Sequence, residues 1–234
     1  MRSSTPIFRL KREARLLSRR ENIPLHEALD RLAAGEGRRN WSLLMQERPT
    51  PVQRFYESLR PGDLALIGAR PRQGKTLMGL QVLLEALKAG RTAMFFTLEY
   101  TRRDVLERLQ FLGFNDTRLV DRLVIDTSEA ISAGYIASML DDAPEGAIAV
   151  VDYLQLLDRR RDTPPLAEQM QLLVEFACRK GVILVFLAQI DRSYDARNEG
   201  TPRISDVRIA EPFDLTIFAK TCFIQAGKTL FGQR

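Results

Sequence analysis

Histidine is almost missing from this chain: among 234 residues His26 is the only one. That leaves little room for catalysis built on imidazole or for a histidine-rich metal centre, and on its helical pattern His26 is expected at the surface. Cysteine is nearly as scarce. Cys178 and Cys222 are far apart and each lies inside an apolar stretch, so two buried thiols are expected in place of a disulfide or a metal-binding pair. No apolar run approaches the roughly 18 to 20 residues of a membrane span. The opening Met1-Arg2-Ser3-Ser4-Thr5-Pro6 is followed by charged residues where a secretory signal would have its apolar core. No membrane association and a cytoplasmic location are therefore expected.

What the chain has in excess is positive charge, and it is unevenly placed. Of 35 Lys and Arg and 30 Asp and Glu, residues 1–60 hold 13 basic against 7 acidic, a net of +6, and the remaining 174 hold 22 against 23. A basic segment of this kind suits nucleic acid and equally suits a solvated helix face. Ile7, Leu10, Ala14 and Leu17 recur at helical spacing among arginines, which predicts a basic amphipathic helix. Pro24 opens a second helix with the stripe Leu25, Ala28, Leu29 and Leu32, Gly35 and Gly37 end it, and Asn40 starts a short third helix at Trp41. Residues 1–50 are thus expected to form a small helical module, with Pro49-Thr50-Pro51 as a linker.

From Pro61 onward, apolar runs alternate with helical patterns, the signature of a mainly parallel twisted sheet flanked by helices. Strands are expected at 64–68, 92–98, 122–126, 147–152 and 182–189, and helices at 75–89, 101–112, 131–142 and 165–180. Leu215-Phe218 and Thr221-Ile224 read as late strands. Residues 58–234 form the expected α/β domain.

Within that domain the segment Ala69-Arg70-Pro71-Arg72-Gln73-Gly74-Lys75-Thr76 follows a strand and opens a helix. A loop in that position cradles phosphate with backbone N–H groups and the positive helix end. The candidate nucleotide-binding residues are Arg70, Pro71, Arg72, Gln73, Gly74, Lys75, Thr76 and Leu77. The Lys75 ammonium can bridge β- and γ-phosphate oxygens, and the Thr76 hydroxyl can enter a Mg2+ shell. Ala69 stands where the common motif has glycine. Asp152 ends the apolar strand 147–152 and is the second candidate Mg2+ residue. ATP and Mg2+ are the expected ligands.

Hydrolysis also needs a group that takes a proton from water. Tyr153 stands directly after the strand aspartate, where many ATPases have glutamate, so Glu99, at the end of the neighbouring strand, is the candidate base. A bland reading of Glu99 is an acid favoured at a helix start. Gln189 ends another strand, where a neutral amide can contact the γ-phosphate or its water. Arg192, Arg197 and Arg203 in the loop that follows are candidates for DNA or subunit contact, and Arg159-Arg160-Arg161 after the fourth strand can be read as phosphate contacts or as a solvated turn.

The motifs Ala-Arg-Pro-x-x-Gly-Lys-Thr at 69–76, Thr-Leu-Glu at 97–99, Val-Asp-Tyr-Leu-Gln-Leu at 151–156, Ala-Gln-Ile-Asp-Arg-Ser at 188–193 and Ser-Asp-Val-Arg at 205–208 resemble the ATPase domain of DnaB-type replicative helicases. The likeness covers about residues 58–220. It implies a RecA-like phosphate-loop fold, an ATP- and Mg2+-dependent motor, self-association into a hexameric ring and single-stranded DNA as partner. Lys75, Glu99 and Gln189 then carry the catalysis, Thr76 and Asp152 hold the metal and Arg208 faces DNA, while Arg192 and Arg197 are nucleic-acid candidates from their place in the loop alone.

The chain departs from that family in three places. Its N-terminal module is shorter than the family's helical collar. Ile209-Ala210-Glu211-Pro212 replaces Glu-Ser-Gly after Arg208. No Lys-x-Arg strand follows, which leaves Lys220 or Lys228 to supply a trans cation; such a group is worth roughly 10^3 to 10^5 in rate. Two other readings stay open: a RecA-like regulatory or recombination-type ATPase that switches binding state without unwinding, and a small-molecule kinase with a phosphate loop.

Overall fold

In a computed structural model of the chain, residues 5, 7–157, 163–196, 202–209 and 211–233 are described. The chain divides into two compact units, Met1–Thr50 and Pro51–Arg234.

The first unit is helical. α1 (Ile7–Glu21) and α2 (Leu25–Gly35) bury Leu10 and Ala14 of the first expected stripe and Ala28 of the second, with Ala33 added and Leu25 exposed, and α3 (Trp41–Gln46) joins a core of Leu10, Ala33 and Leu44. Pro24 stands at the N-cap of α2, where its missing N–H costs nothing. The Asn40 side chain accepts a 2.8 Å hydrogen bond from Leu43 N–H, and Asp30 accepts one of the same length from Trp41 N–H. Two orphan donors at the start of α3 are thereby satisfied. His26 is exposed.

The second unit opens with α4 (Pro51–Ser58), whose Phe55 is buried. It continues through β1 (Leu64–Ala69), α5 (Lys75–Lys88), β2 (Ala93–Thr97), α6 (Arg102–Phe111), β3 (Leu123–Asp126), α7 (Ala133–Met139), β4 (Ile148–Asp152), α8 (Leu166–Lys180), β5 (Ile183–Gln189), α9 (Ser193–Ala196), β6 (Lys220–Gln225) and β7 (Lys228–Gln233). Among the described residues these strands form one sheet in the order β3-β2-β4-β5-β1-β6-β7. All neighbours are parallel except β6 and β7.

Both faces of the sheet are covered, which explains why its strands read as unbroken apolar runs. Leu64 and Leu66 of β1, with Leu184 and Phe186 of β5, pack on one side with Ile136 and Leu173 from α7 and α8. Ala65, Ile67, Ile183 and Val185 point to the other side, against Phe55, Leu83 and Leu109 from α4, α5 and α6. Each large side chain so buried contributes about 1.5–3 kcal/mol.

Three expectations are corrected. Leu215–Ile217 is a 3-10 turn and not a strand, because Asp214 accepts hydrogen bonds from Thr216 N–H at 2.8 Å and from its hydroxyl at 2.6 Å, offering the backbone a local alternative to a ladder. The second late strand instead pairs with Lys228–Gln233, a segment for which no element was expected. Cys178 is exposed on α8, since the helix turns it away from the sheet, while Cys222 is buried and its thiol is pushed up to about 12 by burial. Arg159-Arg160-Arg161 and Arg197 lie outside the described residues. Among the described residues no helix is long and apolar enough to cross a membrane.

Gly68 near the end of β1 matters for packing: a Cβ there would lie 2.6 Å from the ring of Phe223, itself buried in β6. Gly68→Ala is expected to lower stability by about 1–3 kcal/mol through overpacking, read as a lower urea midpoint. Pairing it with Phe223→Leu should recover part of the loss.

Candidate functional site

Parallel pairing brings the carboxyl ends of β1, β2, β4, β5 and β6 to one edge of the sheet, with Ala69 opposite both Gln189 and Ile224, and Asp152 opposite both Thr97 and Leu187. The loop after β1 turns sharply there. Arg72 (φ 61°) and Gly74 (φ 91°) both adopt the left-handed conformation, and the Gly74 carbonyl accepts from Met78 N–H at 2.9 Å as α5 begins. A Cβ on Gly74 would meet nothing within 4 Å, so glycine is required by the backbone conformation and not by crowding. The open side of this loop and the N-terminus of a 14-residue helix make an anion site.

Three side chains converge beneath the loop. The Asp152 carboxylate is fully buried; one oxygen accepts from Lys75 Nζ and the other from Thr76 Oγ1, each at 2.7 Å. Lys75 also lies 3.7 Å from Glu99 Oε2 and 5.2 Å from the centre of the Tyr153 ring. Glu99 stands at the mouth, with 40% of its side chain exposed. Burial holds its carboxyl above the usual carboxylate range; Lys75 opposes the shift and Asp152 adds to it. The sequence-derived set of Lys75, Thr76, Asp152 and Glu99 is therefore brought together.

Thr76 Oγ1 and the Asp152 carboxylate are hard oxygens of the kind Mg2+ prefers, and they adjoin a loop built to hold phosphate. Among the described residues no group of three or more His, Cys, Asp or Glu gathers to hold a metal alone. The donor set thus fits a cation whose remaining ligands are phosphate and water oxygens.

Around this centre the chain is tied together by contacts that sequence reading missed. Arg70 donates to the Ile190 carbonyl at 3.2 Å, turning its guanidinium toward the β5 exit. The Gln73 side chain accepts from Ala226 N–H at 3.0 Å, which joins the phosphate loop to the β6–β7 turn. Tyr194 donates to Gln225 at 3.0 Å. Arg208 N–H donates to the Gln189 carbonyl at 2.7 Å, and Ile190 bridges Val207. Asp191 is held below its ordinary range by hydrogen bonds from Ser193 and by the charges of Arg208 and Arg70. The Asp-x-Ser spacing at 191–193 is a local turn signal that could have been read; the contacts of Gln73 and Tyr194 span 153 and 31 positions and leave no such trace.

Arg192 and Arg208 are exposed, as are Pro71, Arg72, Gln73 and Leu77. The two lysines considered as trans cations separate. Lys220 pairs with Ala65, toward the opposite end of the sheet, whereas Lys228 pairs with Gln225 at the edge that carries the phosphate loop.

Such a sheet, with a phosphate loop after an interior strand and an aspartate two strands away, is a RecA-like fold. No protein-family model matches the chain. It is 24% identical over 233 residues to the replicative DNA helicase DnaB of Helicobacter pylori strain 26695, which covers 83% of this chain and 47% of that protein. It is also 24% identical over 196 residues to a probable plasmid replicative DNA helicase of Chlamydia psittaci, covering 68% and 43%. The chain thus spans about half the length of the curated relatives it matches. Among solved structures it is similar to a DnaB-like replicative helicase described with its interactions with primase (TM-score 0.58, 19% identity, 70% of this chain and 47% of that one). It is similar as well to a separately solved ATPase domain (TM-score 0.58, 18% identity, 78% of this chain and 79% of that one). Together these likenesses support a DnaB-type ATPase domain.

The charges around Glu99 make a prediction with a definite sign. In the nucleotide-free protein, Lys75→Met removes the neighbour that lowers the Glu99 pKa and should raise it further, and Asp152→Asn should lower it. Carboxyl 13C titration by NMR reads both; a Glu99 signal indifferent to either change would contradict the cluster.

Proposed function

We propose that this chain is an ATP-hydrolysing, Mg2+-dependent motor domain of DnaB-like type acting on single-stranded DNA in the cytoplasm. The observation that carries the reading is the Lys75–Asp152–Thr76 cluster beneath the phosphate loop, with Glu99 at its mouth and Arg208 hydrogen-bonded to the strand end that carries Gln189.

Residues 70–77 hold the triphosphate through backbone N–H groups and the α5 terminus, and Lys75 shifts from Asp152 toward β- and γ-phosphate oxygens. Thr76 and Asp152 would hold Mg2+, which would offset negative charge on those oxygens. Glu99 takes a proton from the attacking water; the new bond forms between the water oxygen and the γ-phosphorus, the bond to the bridging oxygen breaks, and ADP and phosphate leave. A carboxyl held above its ordinary range accepts that proton more readily. Gln189 contacts the γ-phosphate or its water, and its strand end transmits the change to Arg208, which with Arg192 and Arg197 grips DNA phosphates. Self-association into a hexameric ring would place these arginines along a shared channel, with residues 1–50 as a separate basic module for partner docking. Lys228, at the same sheet edge as the phosphate loop, is our candidate for a cation that serves a neighbouring subunit.

The β6–β7 turn reads Gln225-Ala226-Gly227-Lys228, without the paired basic residues of the resembled family, and this favours a second reading: a RecA-like regulatory or recombination-type ATPase that does not unwind DNA.

Steady-state ATP hydrolysis with and without an oligo-dT strand decides between them. Lys75→Ala should abolish turnover; Glu99→Gln should retain nucleotide binding and lose about 10^2 to 10^4 in rate. DNA stimulation that falls as salt rises supports the motor. Slow turnover indifferent to DNA supports the regulatory reading, and turnover unaffected by Lys75→Ala removes both. Strand separation from a forked duplex then tests unwinding.

A further inference from the structure

Gln155 lies in a 3-10 turn, Leu154–Leu156, three residues after Asp152. The turn is anchored on both sides: Leu154 and Leu157 are buried, and the Leu157 carbonyl accepts a 2.7 Å hydrogen bond from the buried Gln169 side chain. Gln155 is therefore held in place, and its Nε2 donates to the main-chain carbonyl of Arg208, 53 positions away. The amide cannot be reversed, because its oxygen would then face the carbonyl oxygen. In this orientation Oε1 is buried and has no hydrogen-bond partner among the described residues. Leaving a buried acceptor unpaired is unfavourable, so the local structure keeps the donor contact to Arg208 at the expense of the acceptor.

Arg208 is thereby held from two sides. Its N–H donates to Gln189, at the end of β5, and its carbonyl accepts from Gln155, in the turn that leaves β4. Asp191 N–H donates to the Asp206 carbonyl at 2.8 Å and keeps this segment against the β5 exit. The side chain of Arg208 remains exposed while its main chain is held. The two strand ends that grip it are those of Asp152 and Gln189, one under the phosphate loop and one beside it.

We propose that Gln155 is a positioning residue that couples the Asp152 side of the nucleotide site to Arg208, as a second link parallel to the one through Gln189. The coupling rests on the ATP and DNA reading above. Gln155 touches no reacting atom in that scheme; it transmits displacement of the turn after β4 to the Arg208 carbonyl. A tether that served stability alone would lower the melting temperature and leave the nucleotide dependence of the Arg208 segment unchanged.

The test uses the full chain, as wild type, Gln155→Leu, which removes the donor at similar volume, and Gln155→Asn, which keeps an amide on a shorter arm. Two quantities are read: stimulation of ATP hydrolysis by oligo-dT, and amide exchange over residues 207–209 with and without a non-hydrolysable ATP analogue. Gln155→Leu should keep hydrolysis without DNA within about twofold of wild type and lose roughly fivefold or more of the stimulation, the range of an ordinary coupling energy. The analogue should change exchange at 207–209 in wild type but not in Gln155→Leu. If Gln155→Leu fails to fold, Gln155→Asn carries the same comparison. Full DNA stimulation together with an unchanged nucleotide response at 207–209 in the variant overturns the proposal. If wild type itself ignores DNA, the motor reading fails and exchange alone decides: a nucleotide response that depends on Gln155 upholds the coupling, and one that does not overturns it.

Discussion

A fully buried carboxylate is among the least favourable groups a protein interior can hold, and Asp152 is tolerated because both its oxygens are taken. Lys75 and Thr76 come from the first turn of α5, after β1, while Asp152 ends β4, and β5 lies between the two strands. The three groups meet only if the sheet has this order and register. Removing one partner of a buried pair of this kind generally costs about 3–5 kcal/mol. The same contacts leave an ammonium, a hydroxyl and a carboxylate together under an open phosphate loop, so the arrangement that makes Asp152 tolerable also makes the site.

Neighbouring hydrogen bonds fix that centre within the fold. The phosphate loop is tied through Gln73 to the β6–β7 turn, and the β5 exit is tied through Arg70 and Tyr194 to β1 and β6. Arg208 is drawn to the same edge by main-chain bonds to Gln189 and from Gln155. A shift at any of these strand ends would reach its neighbours through hydrogen bonds and not through solvent, which is the physical route that the proposed coupling uses.

Much of this was legible in advance. β1, β2, β4 and β5 are buried on both faces, so they read as apolar runs, and α5 carries a start marked by Gly74. Lys75, Thr76, Asp152 and Glu99 were legible because each stands at the end of a strand or the start of the helix after it, where phosphate chemistry needs those residue types. The segment 215–218 misled because its apolar residues suggest a strand, whereas Asp214 caps a turn there. β7 escaped notice because an edge strand pairs on one side only and carries a weaker pattern.

The sequence by itself determined most of the local conformations and the identity of the candidate site residues, because periodicity, turn chemistry and residue type act over a few positions. Only the tertiary structure decided which groups meet. The strand order β3-β2-β4-β5-β1-β6-β7 puts Asp152 against Lys75, Lys228 near the phosphate loop, Lys220 away from it, and Gln155 under Arg208. Those choices depend on non-local pairing between segments tens of residues apart, and no short stretch of sequence carries that information.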